Sequence, residues 1–101
     1  MILVITRMKV LSDQRMELSQ TMTSLSSSIR REKGCRSCDF CQSMADENRL
    51  FLLEEWEAHE NLMTHLKSEH FRVFRGAMNL LSEPYERVFH TVFHPEGMEE
   101  I

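Results

Sequence analysis

The sequence has no apolar run long enough to cross a membrane and no cluster of basic residues. Its 101 residues carry 12 lysines and arginines against 16 aspartates and glutamates, which gives a net charge of −4. A membrane-spanning helix needs about 20 consecutive apolar residues, and a nucleic-acid-binding surface needs clustered basic side chains that neutralise phosphates. We therefore expect neither a membrane nor a nucleic acid among the partners of this protein.

The opening stretch MILVITRMKV lacks the basic start of a secretory signal, since its first charged side chains are Arg7 and Lys9. The chain also has only three cysteines, an odd number that does not make a fully paired disulfide framework. Free thiols are typical of the reducing cytoplasm. We therefore expect a cytoplasmic protein.

The three cysteines, Cys35, Cys38 and Cys41, have the spacing that opens an iron–sulfur binding run in bacterial ferredoxins. That run has a fourth cysteine followed by proline, but here Ala45 stands in its place and no proline follows. If residues 35–44 form a strand, Cys35 and Cys41 share one face about 20 Å apart, and Cys38 points to the other face. Thiolates so arranged do not meet at one cluster, so we expect no metal site and buried or half-buried thiols.

Apolar periodicity predicts seven elements in the order β-α-β-β-α-α-β. Ser68 is placed to cap the last helix, and Pro84 is placed to end it. The predicted strands are 2–10, 35–44, 49–57 and 84–93, and the predicted helices are 13–33, 59–66 and 68–83. This order is typical of a ferredoxin-like α+β sandwich, in which helices cover one face of a four-stranded antiparallel sheet. We expect one domain over residues 1–94 and a loose acidic tail over 95–101.

Both faces of the predicted sheet carry large apolar side chains. The first strand places Ile2, Val4 and Met8 on one face and Leu3 and Ile5 on the other. Helices cover only one face, and a second copy of the same sheet is an economical cover for the other. We therefore expect a homodimer that packs through its sheet faces.

Three short motifs follow one another along the chain: Gly-Cys at 34–35, Glu-x-Trp-Glu at 54–57 and His-x-x-Ser-x-His-Phe at 65–71. With the hairpin between the first two, they make residues 1–94 resemble the antibiotic biosynthesis monooxygenase domain, whose members are small dimeric α+β barrel proteins. The resemblance implies a pocket between the sheet and the two short helices. It also implies catalysis without metal, flavin or haem, in which a phenolate substrate donates an electron to O2 itself, so we expect no cofactor.

The resemblance assigns candidate roles to individual residues. Trp56 matches a tryptophan that lines the pocket, and Glu54 a strand glutamate that would need a partner such as His65. His65 matches a position where a histidine is frequent, and we expect it to serve as proton acceptor or ligand contact. The expected lining of the pocket comprises Cys38, Phe40, His70, Phe71, Phe74 and Arg75. A purely structural explanation exists for each candidate as well. Trp56 would be a core aromatic, His65 a satisfied core histidine and Glu54 one half of a salt bridge.

Two differences from related sequences narrow the range of activities that we expect. An asparagine that quinone-forming members carry before the tryptophan falls at Leu52 here. The haem-degrading branch of the superfamily uses an asparagine, a tryptophan and a histidine at positions corresponding to Thr6, His65 and Arg75, and none of them matches. We expect a monooxygenase acting on a quinol or polyphenol, or alternatively a non-catalytic protein of ligand binding or stress response that holds a small aromatic molecule.

Overall fold

The computed structural model describes residues 1–93. The tail predicted over 95–101 lies outside the described residues, as does His94 at the end of the predicted domain. The elements are β1 (Ile2–Lys9), α1 (Arg15–Ile29), β2 (Cys35–Gln42), β3 (Arg49–Trp56), α2 (His59–Leu66), α3 (Glu69–Ala77), a 3-10 turn (Met78–Leu80) and β4 (Glu86–Thr91). The predicted order and the ferredoxin-like α+β fold are confirmed. None of these helices is long and apolar enough to cross a bilayer.

The four strands form one antiparallel sheet in the order β2-β3-β1-β4. Because side chains alternate along a strand, β1 directs Val4 and Thr6 towards the helices, where both are fully buried. Val4 pairs with Glu54 of β3, and Thr6 pairs with Arg87 of β4. The register therefore places a carboxylate and a guanidinium on the helix-covered face of the sheet.

Helix α1 covers the sheet with the apolar face that its spacing predicts, formed by Leu18, Met22, Leu25 and Ile29, all of which are buried. The helix ends at Ile29 rather than at residue 33, and residues 30–34 form turns. The amide of residue 32 donates to the carbonyl of Ile29, three residues back, at 2.9 Å. This tighter turn ends the helix before Glu32, whose side chain then points towards α2.

Strand β2 contains a bulge between Cys35 and Ser37 that changes the predicted faces of the cysteines. Cys35 lies opposite Trp56 and Cys38 opposite Glu54, so both face the helices, whereas Cys41 lies opposite Phe51 on the other face. The prediction that Cys35 and Cys41 share a face is wrong, because the extra residue of the bulge shifts the alternation by one. All three thiols are free.

The last helix and last strand are shorter than predicted. The third helix ends at Ala77, and the chain then turns so that Leu81 forms a bridge with Val10 and the Ser82 amide donates to the Lys9 carbonyl at 3.0 Å. These bonds hold the chain against the end of β1 and stop the helix well before Pro84. The helices leave the other sheet face, which contains Leu3, Ile5, Phe51, Leu53 and Val88, uncovered within residues 1–93.

Candidate functional site

Glu54 is the centre of a buried polar cluster on the helix-covered face. Trp56 lies two residues along β3 on the same face, and its Nε1 donates to Glu54 Oε1 at 3.1 Å. Arg87 Nη1 lies 3.1 Å from the other oxygen, Oε2, and His65 Nε2 lies 3.8 Å from Oε1. A carboxylate without any exposed surface requires such donors and opposite charge. The structure thus brings the three central sequence-predicted site residues into one cluster.

His65 is held in a fixed orientation by aromatic and carboxylate contacts. Its ring stacks on Trp56 with 4.7 Å between centroids and meets the edge of Phe71 at 5.7 Å. Its Nδ1 lies 2.9 and 3.0 Å from the two oxygens of Glu32. Since an ionised carboxylate only accepts hydrogen bonds, Nδ1 donates and Nε2 is directed towards Glu54.

Glu32 links the buried histidine to the surface. Its Oε2 accepts from His70 Nδ1 at 2.7 Å. Side-chain exposure rises along the series, from 0% for Glu54 and 1% for His65 to 18% for Glu32 and 40% for His70. We call these four residues the carboxylate–histidine chain; it runs from the sealed interior of the cluster to the surface.

Arg87 completes the cluster from the edge strand β4. Its Nη1 donates to Thr6 Oγ1 at 2.9 Å, and its side chain is only 8% exposed. The guanidinium carbon lies 4.9 Å from the centre of the Phe74 ring and 5.3 Å from that of Phe71. Sequence reasoning assigned no role to Arg87 or Glu32. The sequence feature that could have revealed Arg87 is its charge at a position where the alternation of the strand directs the side chain inwards.

Some of the other predicted lining residues belong to the cluster around Glu54, and one does not. Cys38 is fully buried opposite Glu54, and Phe40 lies two residues further along the same face of β2. Phe74 stacks on Phe71 with 5.6 Å between ring centroids. We call the rings of Trp56, Phe71 and Phe74 the aromatic wall of the cluster. Arg75 is exposed and is not part of the cluster; it lines a surface cavity of about 220 Å³ together with Leu66, Lys67, Ser68, Phe71 and Arg72.

The two thiols on the helix-covered face are poorly suited to nucleophilic chemistry. Burial, followed by the negative charge of Glu54, raises the pKa of Cys35 to about 11. The same two causes raise the pKa of the fully buried Cys38 further above its usual range. Because the thiolate is the reactive form of cysteine, these residues contribute volume to the site rather than a nucleophile.

Solved structures share the fold along nearly the whole chain. A protein from Nitrosomonas europaea classed with the antibiotic biosynthesis monooxygenases is 21% identical, with a TM-score of 0.85, covering 93% of this chain and 100% of that one. One from Deinococcus radiodurans, classed in the same way, is 13% identical, with a TM-score of 0.89 and coverage of 99% and 100%. A conserved protein from Methanosarcina mazei is 26% identical, with a TM-score of 0.83 and coverage of 88% and 89%.

A search of curated proteins by sequence found no match. The family model described as "Antibiotic biosynthesis monooxygenase" matches residues 1–77, which is more than half of the chain. The matched stretch contains β1 to α3 and includes Glu32, Glu54, Trp56 and His65. The chain therefore belongs to the antibiotic biosynthesis monooxygenase family.

Proposed function

We propose that the protein is a cofactor-independent monooxygenase that oxidises a quinol or polyphenol with O2. The observation that carries the proposal is the carboxylate–histidine chain, because phenol oxidation requires a proton acceptor in a dry site and a route by which the proton leaves. Family membership supports the reaction class. The aromatic wall formed by Trp56, Phe71 and Phe74 supports a flat apolar substrate.

In the proposed reaction His65 Nε2 accepts the phenolic proton. The imidazolium that forms is stabilised by the Glu32 carboxylate at Nδ1, and His70 exchanges the proton with solvent. The resulting phenolate is electron-rich and transfers an electron to O2. Overall, quinol and O2 give hydroxyquinone and water: one oxygen atom enters the ring, the other leaves as water, and the substrate supplies all the electrons.

Access to the cluster requires a side chain to move, because Glu54 and Trp56 have no exposed surface. The surface cavity of about 220 Å³ contacts Phe71, and Phe71 contacts the His65 ring. We propose that a substrate enters from this cavity by displacing the half-buried Phe71 ring. The closed site then excludes water from the reaction.

Oxygen uptake with a panel of hydroquinones and catechols tests the proposal. General-base catalysis contributes about 10²- to 10⁴-fold to a rate, so we expect His65→Ala to lower kcat by at least about 100-fold. His59→Ala is the matched control, since His59 lies on the same helix but is exposed. The proposal fails if the wild-type protein consumes no O2, or if His65→Ala and His59→Ala consume it equally fast.

The closure of the cluster also favours a second candidate, a non-catalytic binding or stress-response protein that holds a small aromatic ligand. A sealed Trp56 is compatible with ligand storage as well as with catalysis. Anaerobic calorimetry combined with aerobic O2 uptake separates the two candidates. Ligand binding without O2 uptake would support the binding protein, and turnover would exclude it.

We further propose that two copies pack through the uncovered sheet face, in the cytoplasm, where free thiols stay reduced. A standard interface buries about 800 Å² on each partner, and this face offers adjacent apolar side chains such as Ile5, Phe51 and Leu53. Light scattering of Leu53→Lys should give the mass of a monomer. Val73→Lys is the control, because Val73 is also apolar and exposed but lies on α3. A wild-type monomer would refute the dimer.

A further inference from the structure

The guanidinium of Arg87 uses only one of its three nitrogens. Its Nη1 donates to Thr6 Oγ1 and faces Glu54 Oε2, whereas Nε and Nη2 are buried and have no hydrogen-bond partner among residues 1–93. Nε and Nη2 lie on the same edge of the guanidinium and direct parallel N–H bonds, the arrangement that binds two oxygens at once. We call this edge the Arg87 fork.

Unpaired donors of this kind are uncommon in a protein interior. A buried N–H without an acceptor loses its hydrogen bonds to water and gains none in return, and the loss is larger for a charged group. Glu54 does not satisfy the fork: its Oε1 accepts from Trp56, and its Oε2 lies 3.1 Å from Nη1 but has no hydrogen-bond partner among residues 1–93. The fork therefore has unused capacity for acceptor oxygens.

The surroundings of the fork are aromatic. The guanidinium carbon lies 4.9, 5.3 and 5.6 Å from the ring centres of Phe74, Phe71 and Phe89. Such flat apolar walls favour an aromatic ligand, since aromatic rings pack against one another in stacked or edge-on geometry. Phe89 is 49% exposed and is the most solvent-accessible of the three rings, whereas Phe71 is the ring that contacts the proposed entry cavity.

Building on the proposed function, we propose that the Arg87 fork is a specificity site for an aromatic anion with two neighbouring oxygens. A catecholate, a ring ketone with an adjacent hydroxyl group and an aryl carboxylate all present two oxygens side by side to the parallel N–H bonds. A 1,3- or 1,4-diol presents only one oxygen at a time. The fork thus selects among aromatic substrates by the position of their oxygens.

The fork and the proton acceptor lie on opposite sides of one carboxylate. Arg87 approaches Oε2 of Glu54, His65 approaches Oε1, and both pack against Phe71. A ligand held by the fork therefore lies beside the aromatic wall that also contacts His65. Arg87 itself is in β4, outside the stretch matched by the family model. The specificity therefore comes from a strand that the family match does not include.

Anaerobic titration calorimetry on the full chain tests the proposal without turnover. Catechol and benzoate represent the two sources of paired oxygens, and resorcinol represents separated oxygens. We expect catechol, benzoate or both to bind the wild-type protein at least tenfold more tightly than resorcinol, and the ligand that does so identifies the source. Arg87→Lys keeps the positive charge but loses the fork, so it should remove this preference. Arg31→Lys, at an exposed arginine in the turn after α1, should preserve it.

Equal affinities of the wild-type protein for all three ligands would overturn the proposal and require no variant. An Arg87→Lys protein that keeps the preference would also overturn it. If that variant does not fold, the double variant Glu54→Gln/Arg87→Gln removes both charges together. A folded double variant that still prefers paired oxygens would also overturn the proposal. Oxygen uptake is a separate measurement: a fork-dependent preference without uptake refutes only the oxygenase, and uptake without any preference refutes only the fork.

Discussion

Replacing Arg87 with methionine should cause a large loss of stability, because it leaves the Glu54 carboxylate buried without its guanidinium partner. Glu54 is fully buried, and Arg87 Nη1 lies 3.1 Å from it. Breaking a buried ion pair by removing one partner costs about 3–5 kcal/mol. A domain of this kind has a total stability of about 5–15 kcal/mol. The midpoint of thermal unfolding should therefore fall by about 12 °C or more.

Urea denaturation followed by the fluorescence of Trp56, the single tryptophan, measures the effect on the cluster itself. The double variant Glu54→Gln/Arg87→Met removes both charges and keeps an oxygen that can accept from Trp56 Nε1. We expect it to recover at least about half of the loss, because neighbouring residues of one network are coupled by about 0.5–3 kcal/mol. Arg72→Met, which breaks an exposed pair with Glu69, is the control and should cost less than about 1 kcal/mol.

Two results would refute this reasoning. In the first, Arg87→Met unfolds within about 1 kcal/mol of the wild-type protein, which would mean that Glu54 does not depend on the guanidinium. In the second, the double variant loses as much as the two single variants added together, which would mean that the two charges are independent. Circular dichroism of each variant establishes that the comparison is made between folded proteins.

Three further predictions concern the scaffold. Ser68→Ala removes the oxygen that accepts from the Phe71 amide at 3.2 Å and should cost about 1 kcal/mol in urea denaturation; an unchanged midpoint would argue against the cap. Gly34→Ala should destabilise by at least about 1–2 kcal/mol, because Gly34 has a φ of +80° and an added Cβ would overlap the Asn61 side chain. Gly76→Ala, in an open helical position, should stabilise by about 0.5–1 kcal/mol; the opposite order would contradict both. The pKa of Cys35 is raised from 9.0 to about 11, so its contribution to stability is complete below pH 9 and is lost as the pH rises through 11. The stability of the wild-type protein should therefore fall more steeply than that of Cys35→Ala between pH 9 and 11. Parallel stability curves would contradict the assignment.

Periodicity predicted the elements of this fold well because each pattern is local. The spacing of Leu18, Met22, Leu25 and Ile29 depends only on helix geometry, and all four are buried. The misplaced boundaries depend on contacts that the local pattern does not contain. The third helix ends because the chain after it bonds to β1, and α1 ends early at a tight turn. The bulge in β2 likewise reverses the expected cysteine faces without any marker in the local alternation.

The candidate site was predicted in part for the same reason. Glu54 and Trp56 are two residues apart on one strand, so a short motif is enough to place them together. Arg87 reaches Glu54 only because β4 pairs with β1, which lies between β4 and β3 in the sheet. Glu32 reaches His65 only because α1 ends before it. Residues contributed by sheet order and by a helix end are therefore missed when each segment is interpreted separately.

The composition of the cluster argues for a role other than stabilisation. Charged groups lose hydration when they are buried, and well-packed apolar residues of similar volume are often as stabilising or more so. Here Glu54, His65 and Arg87 are all almost completely buried, and Arg87 leaves two nitrogens unpaired within residues 1–93. A scaffold that served only to hold the sheet and helices together would gain nothing from this arrangement. A site that must accept a proton and bind a ligand oxygen needs both a sheltered base and unused donors, which favours the proposed chemistry over a purely structural cluster.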